Sequence, residues 1–274
     1  MRVGILVPWD GDIGSIEPKI KKVRSMGFCC GQISIWNISA YTEDTARILK
    51  TVCADNGFEI TSLWCGWSGP VDWYYPGMYT TLGLVPAWLR NHRMNDLLEG
   101  AWFGRLLGVK DIVTHIGYIP DNPFDENYQG ILNTLKAIGS ELHKYGQRFL
   151  FETGEELPVT LVQMMKKTGL DNLGVNLDPA NLILSGRANA VEALTYFGTY
   201  LMGMHAKDAV RPEPGEAFGE EVPIGKGHAN FPELINIMKK IGYDGDIVIE
   251  REGVSEDIWE DDVAAAKAYL EGLI

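Results

Sequence analysis

Strand-like and helix-like segments alternate along this 274-residue chain from end to end. Residues 2–8, 31–36, 58–64 and 110–115 read as apolar strands, and residues 148–152, 174–178, 200–205 and 246–250 as four more. Helical patterns separate them. One runs over 15–26 and stops at Gly27. Thr42 caps the next, with Glu43 and Asp44 in its first turn, Gly57 past its end, and Ile48, Leu49, Val52 and Cys53 on one face. After a long loop, roughly 65–90, a helix spans 91–107. Ile131, Leu135, Ile138 and Leu142 form a stripe that ends before Gly146. Asn230, with Glu233 three residues on, reads as a capping box ahead of Leu234, Ile237, Met238 and Ile241. The last helix runs from about 255 to 273. Strands joined through helices pair in parallel, because each helix returns the chain to the same end of the sheet. Eight such units close on themselves, so the expected fold is α/β, a (β/α)8 barrel, with residues 1–274 as one domain. No Gly-x-Gly-x-x-Gly follows the first strand, so the dinucleotide-binding fold lacks its fingerprint.

The last four strands share a second property. They end on Glu152, Asp178, His205 and Glu250, each a metal-ligand residue type. A single acidic residue at a strand end often does no more than cap the next helix. Four in successive units point instead to one site at the C-terminal mouth of the barrel, where enzymes of this architecture work. Three carboxylates and an imidazole suit one divalent cation with coordination positions left for substrate. Pro179 after Asp178 ends that strand, and Gly154 gives the chain a sharp exit after Glu152. His115, at the end of the fourth strand, is a further candidate for the same mouth.

Charge and composition narrow the partners. With 24 basic and 37 acidic residues, the net charge of −13 repels a polyanion, so nucleic acid is not expected. No apolar run approaches the length of a membrane span, and residues 1–8 are too short for a signal sequence, so no membrane partner is expected. Cys29, Cys30, Cys53 and Cys65 show no metal-knuckle or disulfide spacing, which fits a reducing cytoplasm. The long loop carries Trp64, Trp67, Trp73, Tyr74, Tyr75 and Tyr79, while Trp9 and Trp36 follow the first two strands. Aromatic faces at a barrel mouth suit the apolar face of a sugar ring. Trp9 and Trp36 are assigned to the pocket, and Tyr74, Tyr75 and Tyr79 to packing of a lid or interface. Arg211, Lys207 and the turn 225–227 are candidates for contacting an anion.

The second half of the chain resembles the xylose-isomerase-like sugar (phosphate) isomerase/epimerase family, which includes ketose 3-epimerases, inosose isomerases and dehydratases, and hydroxypyruvate isomerases. The stretches that carry the likeness are FETGEE (151–156), NLDPAN (176–181), MHAKD (204–208), PIGKG (223–227), and IGYDG (241–245) leading to IERE (249–252). The resemblance implies that Glu152, Asp178, His205 and Glu250 ligate one divalent metal ion, Mn²⁺ first with Mg²⁺, Co²⁺ or Zn²⁺ as alternatives. Glu152 and Glu250 are then also the acid/base pair. It further implies substrate contacts at Arg211 and Cys65. Asn181 stands where ketose 3-epimerases carry a substrate-binding His, and an amide there still suits a sugar hydroxyl. A small sugar or keto-polyol is the implied partner, with a homodimer or homotetramer as the implied assembly.

The expected chemistry is isomerase or epimerase chemistry, by proton transfer next to a carbonyl through a metal-stabilised enediolate. His205 should ligate through one ring nitrogen while a neighbouring acceptor holds the other N–H. Asp208 and Glu221 are further candidates for supporting contacts. Three alternatives remain open. A lyase or dehydratase on a 3-keto-glycoside or inosose would expel a group from the same intermediate. An apurinic endonuclease-like nuclease would need more His than the five present. A sugar-binding protein with a vestigial site would bind no divalent metal.

Overall fold

The computed structural model describes residues 1–74, 76–154 and 156–274. Tyr75 and Glu155 lie outside the described residues. Seven barrel strands come first: β1 (Arg2–Pro8), β2 (Cys30–Ile35), β3 (Glu59–Cys65), β4 (Asp111–Thr114), β5 (Arg148–Glu152), β6 (Leu173–Leu177) and β7 (Leu201–Ala206). Two short strands, β8 (Asp208–Val210) and β9 (Glu220–Val222), precede the last barrel strand, β10 (Asp246–Ile249). The eight barrel strands pair in parallel and close in the order β1-β10-β7-β6-β5-β4-β3-β2. The helices are α1 (Ile13–Ser25), α2 (Glu43–Asp55), α3 (Met78–Thr81), α4 (Ala87–Leu107), α5 (Glu126–His143), α6 (Pro158–Thr168), α7 (Pro179–Leu184), α8 (Ala190–Phe197), α9 (Phe231–Lys240) and α10 (Glu256–Glu271). None of them is long and apolar enough to cross a membrane.

Side chains on a strand alternate between faces, and registered neighbours in a parallel sheet share a face. Here one face of each strand looks into the barrel and the other meets the helices. Ile5, Ile33, Leu63, Phe149, Phe151 and Ile247 take the outer face and are buried under the helix layer. Trp64, Val113 and Leu150 are in register with one another and point inward. They pack with Trp67, Met78 and Leu82 of the segment after β3, which ties that segment to the barrel mouth.

Three details differ from the sequence expectation. The alternation is not strict: β8 and β9 form an antiparallel hairpin between β7 and β10, with Asp208 opposite Val222. The helix expected from 91 begins at Ala87, because Pro86 takes extended geometry at its N-cap and the helix starts directly behind it. Asn230 makes no capping box with Glu233. It adopts φ 58°, ψ 58°, and its side chain makes no cap bond, while its carbonyl accepts from the Glu233 and Leu234 N–H groups. A reciprocal cap stands at α2 instead, where the Thr42 and Thr45 side chains each accept from the other's backbone N–H.

The segment between β3 and α4 is stapled by one face of α4. Arg93, fully buried, donates to the carbonyls of Ser68 (3.0 Å), Pro70 (2.9 Å), Thr81 (2.5 Å) and Gly83 (2.7 Å). Arg90, one turn earlier, donates to the carbonyls of Leu84 and Val85 and to Asn127 Oδ1. Asp96, one turn later, accepts from the Ser68 N–H. Burial pushes the Arg93 guanidinium down to about 10, which still leaves it charged at neutral pH.

Candidate active site

Glu152 closes β5, Asp178 follows β6, His205 lies near the end of β7 and Glu250 follows β10. These four strands are consecutive neighbours around the barrel, so their ends form one arc with the two glutamates on its flanks. One ligand atom from each residue lies within 4.8 Å of all the others. Asp178 has two roles at once. Its Oδ1 caps α7 by accepting the Asn181 N–H at 3.0 Å, while Oδ2 is buried with no hydrogen-bond partner among the described residues. An oxygen buried this way is costly to leave unpaired unless a cation meets it.

His205 is oriented from behind. Gln32 donates to Ser62 Oγ at 2.8 Å, which leaves Gln32 Oε1 to accept His205 Nε2–H at 2.9 Å. Nδ1 therefore faces Glu250 Oε2 at 3.1 Å and Glu152 Oε1 at 3.2 Å. Burial alone would lower the imidazole, but Glu152 and Glu250 outweigh it and hold His205 well above its ordinary range. Burial likewise opposes ionisation of Glu152, yet His115 and His205 keep it well below the usual carboxylate range. Asp178 is pushed well above that range, by burial first and then by Glu250 and Glu152. Three carboxylates with an inward-facing imidazole nitrogen, and one carboxylate forced towards its neutral form, make a donor set that fits a divalent cation. Gln32→Leu is expected to weaken the affinity of this cluster for a divalent cation by ~10–100-fold, read by calorimetric titration with Mn²⁺ as the probe; unchanged affinity would remove Gln32 from the candidate metal site.

Around Glu152 the contacts are dense. Trp64 donates its indole N–H to Oε2, Asn181 Nδ2 donates to Oε1 at 3.1 Å, and His115 Nε2 lies 3.3 Å from Oε1. Trp36 stacks near Trp64 and Trp67, with centroids at 4.9 and 5.2 Å, and meets Trp73 edge-on at 6.3 Å. Trp73 also meets His115 at 5.2 Å. Among the candidate contacts, His115, Asn181 and Trp36 thus gather at the mouth. Lys207 does too. Its Nζ lies 2.5 Å from Glu252, 3.5 Å from Glu250 and 3.9 Å from Glu221. Burial would lower this ammonium, but Glu250, Asp178, Glu252 and Glu221 hold it well above its usual range.

Trp9 and Cys65 lie elsewhere. On β1, Leu6 and Pro8 register with inward-facing Gln32 and Ser34, so Trp9 falls on the opposite face. It is 2% exposed in the helix-side core and donates its indole N–H to the Asp12 carbonyl. Cys65 follows inward-facing Trp64 and therefore points out, against Gly100 of α4, where burial pushes its thiol up to about 12. Arg211 is exposed just beyond β8 and makes no ion pair among the described residues. Asp208 accepts the backbone N–H groups of Ala209, Gly225, Gly227 and Ala229, so it builds the turn 225–229. Tyr74 lies against Phe218 of the hairpin connection at the rim, and Tyr79 against Tyr118.

Sequence reasoning did not single out Gln32, Ser62 or Glu252 as site residues. Gln32 carried a signal: it is the polar residue with the longest side chain in the otherwise small or apolar run CGQISI. The sequence profile of the xylose isomerase-like TIM barrel family matches residues 20–272. The chain belongs to that family. Among solved structures, a xylose isomerase domain protein from Planctomyces limnophilus shares this family barrel at a TM-score of 0.91 and 27% identity, covering 99% of this chain and 96% of that one. D-psicose 3-epimerase (TM-score 0.73, 18% identity, 100% and 99% covered) and the probable 3-DHS dehydratase of Bacillus anthracis (0.70, 19%, 99% and 99%) share the fold. An uncharacterized protein of Methanocaldococcus jannaschii is 29% identical over 190 residues, which is 65% of this chain and 61% of that protein. The inosose dehydratase of Lacticaseibacillus casei is 22% identical over 147 residues, 47% of this chain and 48% of its own length. Both matches thus span less than two thirds of the relative.

Proposed function

We propose that this barrel is a sugar isomerase or epimerase that moves a proton at the carbon beside the carbonyl of a small polyhydroxy ketone. Glu152, Asp178, His205 and Glu250 would hold one divalent cation, Mn²⁺ first among the candidates. The observation that carries the reading is the arc of four converging ligands, three buried and Glu250 part-buried, with a glutamate on each flank. When bound, the cation would supply positive charge to the carbonyl oxygen and so acidify the neighbouring C–H. Glu152 is held for its role by Trp64, Asn181 and His115, which keep its carboxylate aimed and ionised. Glu250 faces it across the arc beside the Lys207 ammonium, which favours its anionic form over the cost of burial. One glutamate takes the proton from one face of the carbon, and the other returns a proton to the opposite face. Asn181 and His115, both beside Glu152, would be the contacts for sugar hydroxyls.

A second reading is a lyase, in which a group leaves from the next carbon after the same proton abstraction. The indole wall at the mouth favours it, since an apolar leaving group needs an apolar site. An epimerase and dehydratases among the relatives support a shared first step with either ending. Turnover in deuterated water with Mn²⁺, over ketoses, inososes and 3-keto-glucosides, tests both. Deuterium entering beside the carbonyl with mass otherwise conserved is the expected result. Release of water or an aglycone moves the assignment to a lyase, and no exchange or release with any substrate, metal being bound, overturns the proton-transfer reading for these substrates.

A further inference from the structure

Glu152 and Asp178 come from separate strands, yet one side chain outside the ligand set ties them together. Glu152 closes β5, and Asp178 is the single residue between β6 and α7. The ladder between these strands runs as far as the pair Glu152 and Asn176, with one more bond from the Thr153 N–H to the Asn176 carbonyl at 3.1 Å. Pro179 then starts α7, so β6 cannot carry the ladder further. At that point the Thr153 side chain takes over. Its hydroxyl accepts the Asp178 N–H and donates to the Asp178 carbonyl, both at 2.8 Å. Thr153 is fully buried, so water does not compete for either bond.

The connection closes into a circuit on its far side. Asp178 Oδ1 accepts the Asn181 N–H at 3.0 Å, and Asn181 Nδ2 donates back to Glu152 Oε1 at 3.1 Å. The backbone of Asp178 and one of its carboxylate oxygens are thus fixed, and Oδ2 is the oxygen left to the cluster. The other two ligands are held by different groups: His205 by Gln32, and Glu250 by Lys207. A hydroxyl that only lengthened the ladder would stabilise the fold and do no more. This one joins the chain segments of two ligands, so it also sets how far the cluster is preformed. An ion binds most tightly where its donors need not move to meet it.

We propose that Thr153 is a positioning residue of the cation site, its hydroxyl clipping Asp178 to the chain that carries Glu152 and so presetting the spacing of the two carboxylates; this rests on the divalent-cation reading above. The test needs no substrate. Mn²⁺ is titrated calorimetrically into the unmodified protein, Thr153→Val and Thr153→Ser, and the EPR spectrum of the bound ion is recorded. Valine keeps the branched shape and loses both bonds, whereas serine keeps the hydroxyl. Thr153→Val is expected to bind Mn²⁺ at least ~10-fold more weakly with an altered spectrum, and Thr153→Ser to stay within ~3-fold with the original spectrum. Thr153→Ala, which also lacks the hydroxyl, carries the same expectation if the valine variant does not fold. Denaturant unfolding of the metal-free proteins separates fold from site. A lower midpoint in Thr153→Val, with affinity and spectrum of the folded protein unchanged, would make the hydroxyl purely structural and overturn the proposal. A serine variant as weak as the valine one would overturn it too. Unchanged affinity in Thr153→Val removes this proposal alone and leaves the proton-transfer reading to the deuterium experiment. No Mn²⁺ binding by the unmodified protein would overturn the cation reading and this proposal together.

Discussion

Glu152→Gln and Glu250→Gln are each expected to lower turnover by ~10³-fold or more and to weaken Mn²⁺ binding. The substitution keeps the shape of the side chain but removes both the negative charge and the ability to carry a proton. At position 152 it also places an amide among three groups, Trp64, Asn181 and His115, that now converge on a carboxylate. The metal arm of the prediction has a readout independent of any substrate. With free Mn²⁺ at 100 times its dissociation constant, the unmodified protein should gain ~2.7 kcal/mol of stability, visible as a rise in Tm, and both variants should lose most of that gain. Near-wild-type turnover in both variants would remove the acid/base assignment. An unchanged Tm response to Mn²⁺ would remove them as ligands.

Arg93→Leu is expected to cost at least ~3 kcal/mol of folding stability and to open the segment 66–86 to proteolysis. The buried guanidinium serves four backbone carbonyls that have few alternatives, and an unpaired buried carbonyl costs ~1–3 kcal/mol. Arg93→Lys should recover only part of the loss, because a single ammonium cannot span the directions a guanidinium fork reaches. Denaturant unfolding and limited proteolysis of the folded protein check the two effects. Cleavage confined to 66–86 is the expected pattern, and a fully resistant segment in Arg93→Leu would show that the other α4 contacts suffice. The consequence for function is direct, since this segment carries Trp67 and Trp73.

Local patterns located much of this architecture because they report local physics. Each barrel strand lies within one residue of its expected bounds, since short apolar runs bracketed by turn residues have few other uses in an alternating chain. The stripe Ile131, Leu135, Ile138 and Leu142 is fully buried, as a helical period on one face requires. The ends of the strands were legible too, and with them the four residues that converge at the mouth. The Asn230 cap was misread because the backbone took a left-handed conformation there, a choice made by the turn that Asp208 builds rather than by the spacing of Asn and Glu.

What the sequence by itself determined was the order of the elements, the two-residue period of each strand and the ligand type at each strand end. What it left open was the register between strands, and with it which half of every strand looks inward. That depends on how all eight strands stagger as the barrel closes, a constraint no single segment carries. The stagger pairs Leu6 with Gln32 and Ser34 with Trp64. It thereby sends Trp9 and Cys65 to the helices, while Gln32, Trp64 and Trp36 face the site. Tertiary structure also brought α4 against the long loop, so that Arg93 became the staple of the aromatic wall. A pocket assembled from eight strand ends is a non-local object: its ligands are written one per strand, but its walls exist only once the sheet has closed.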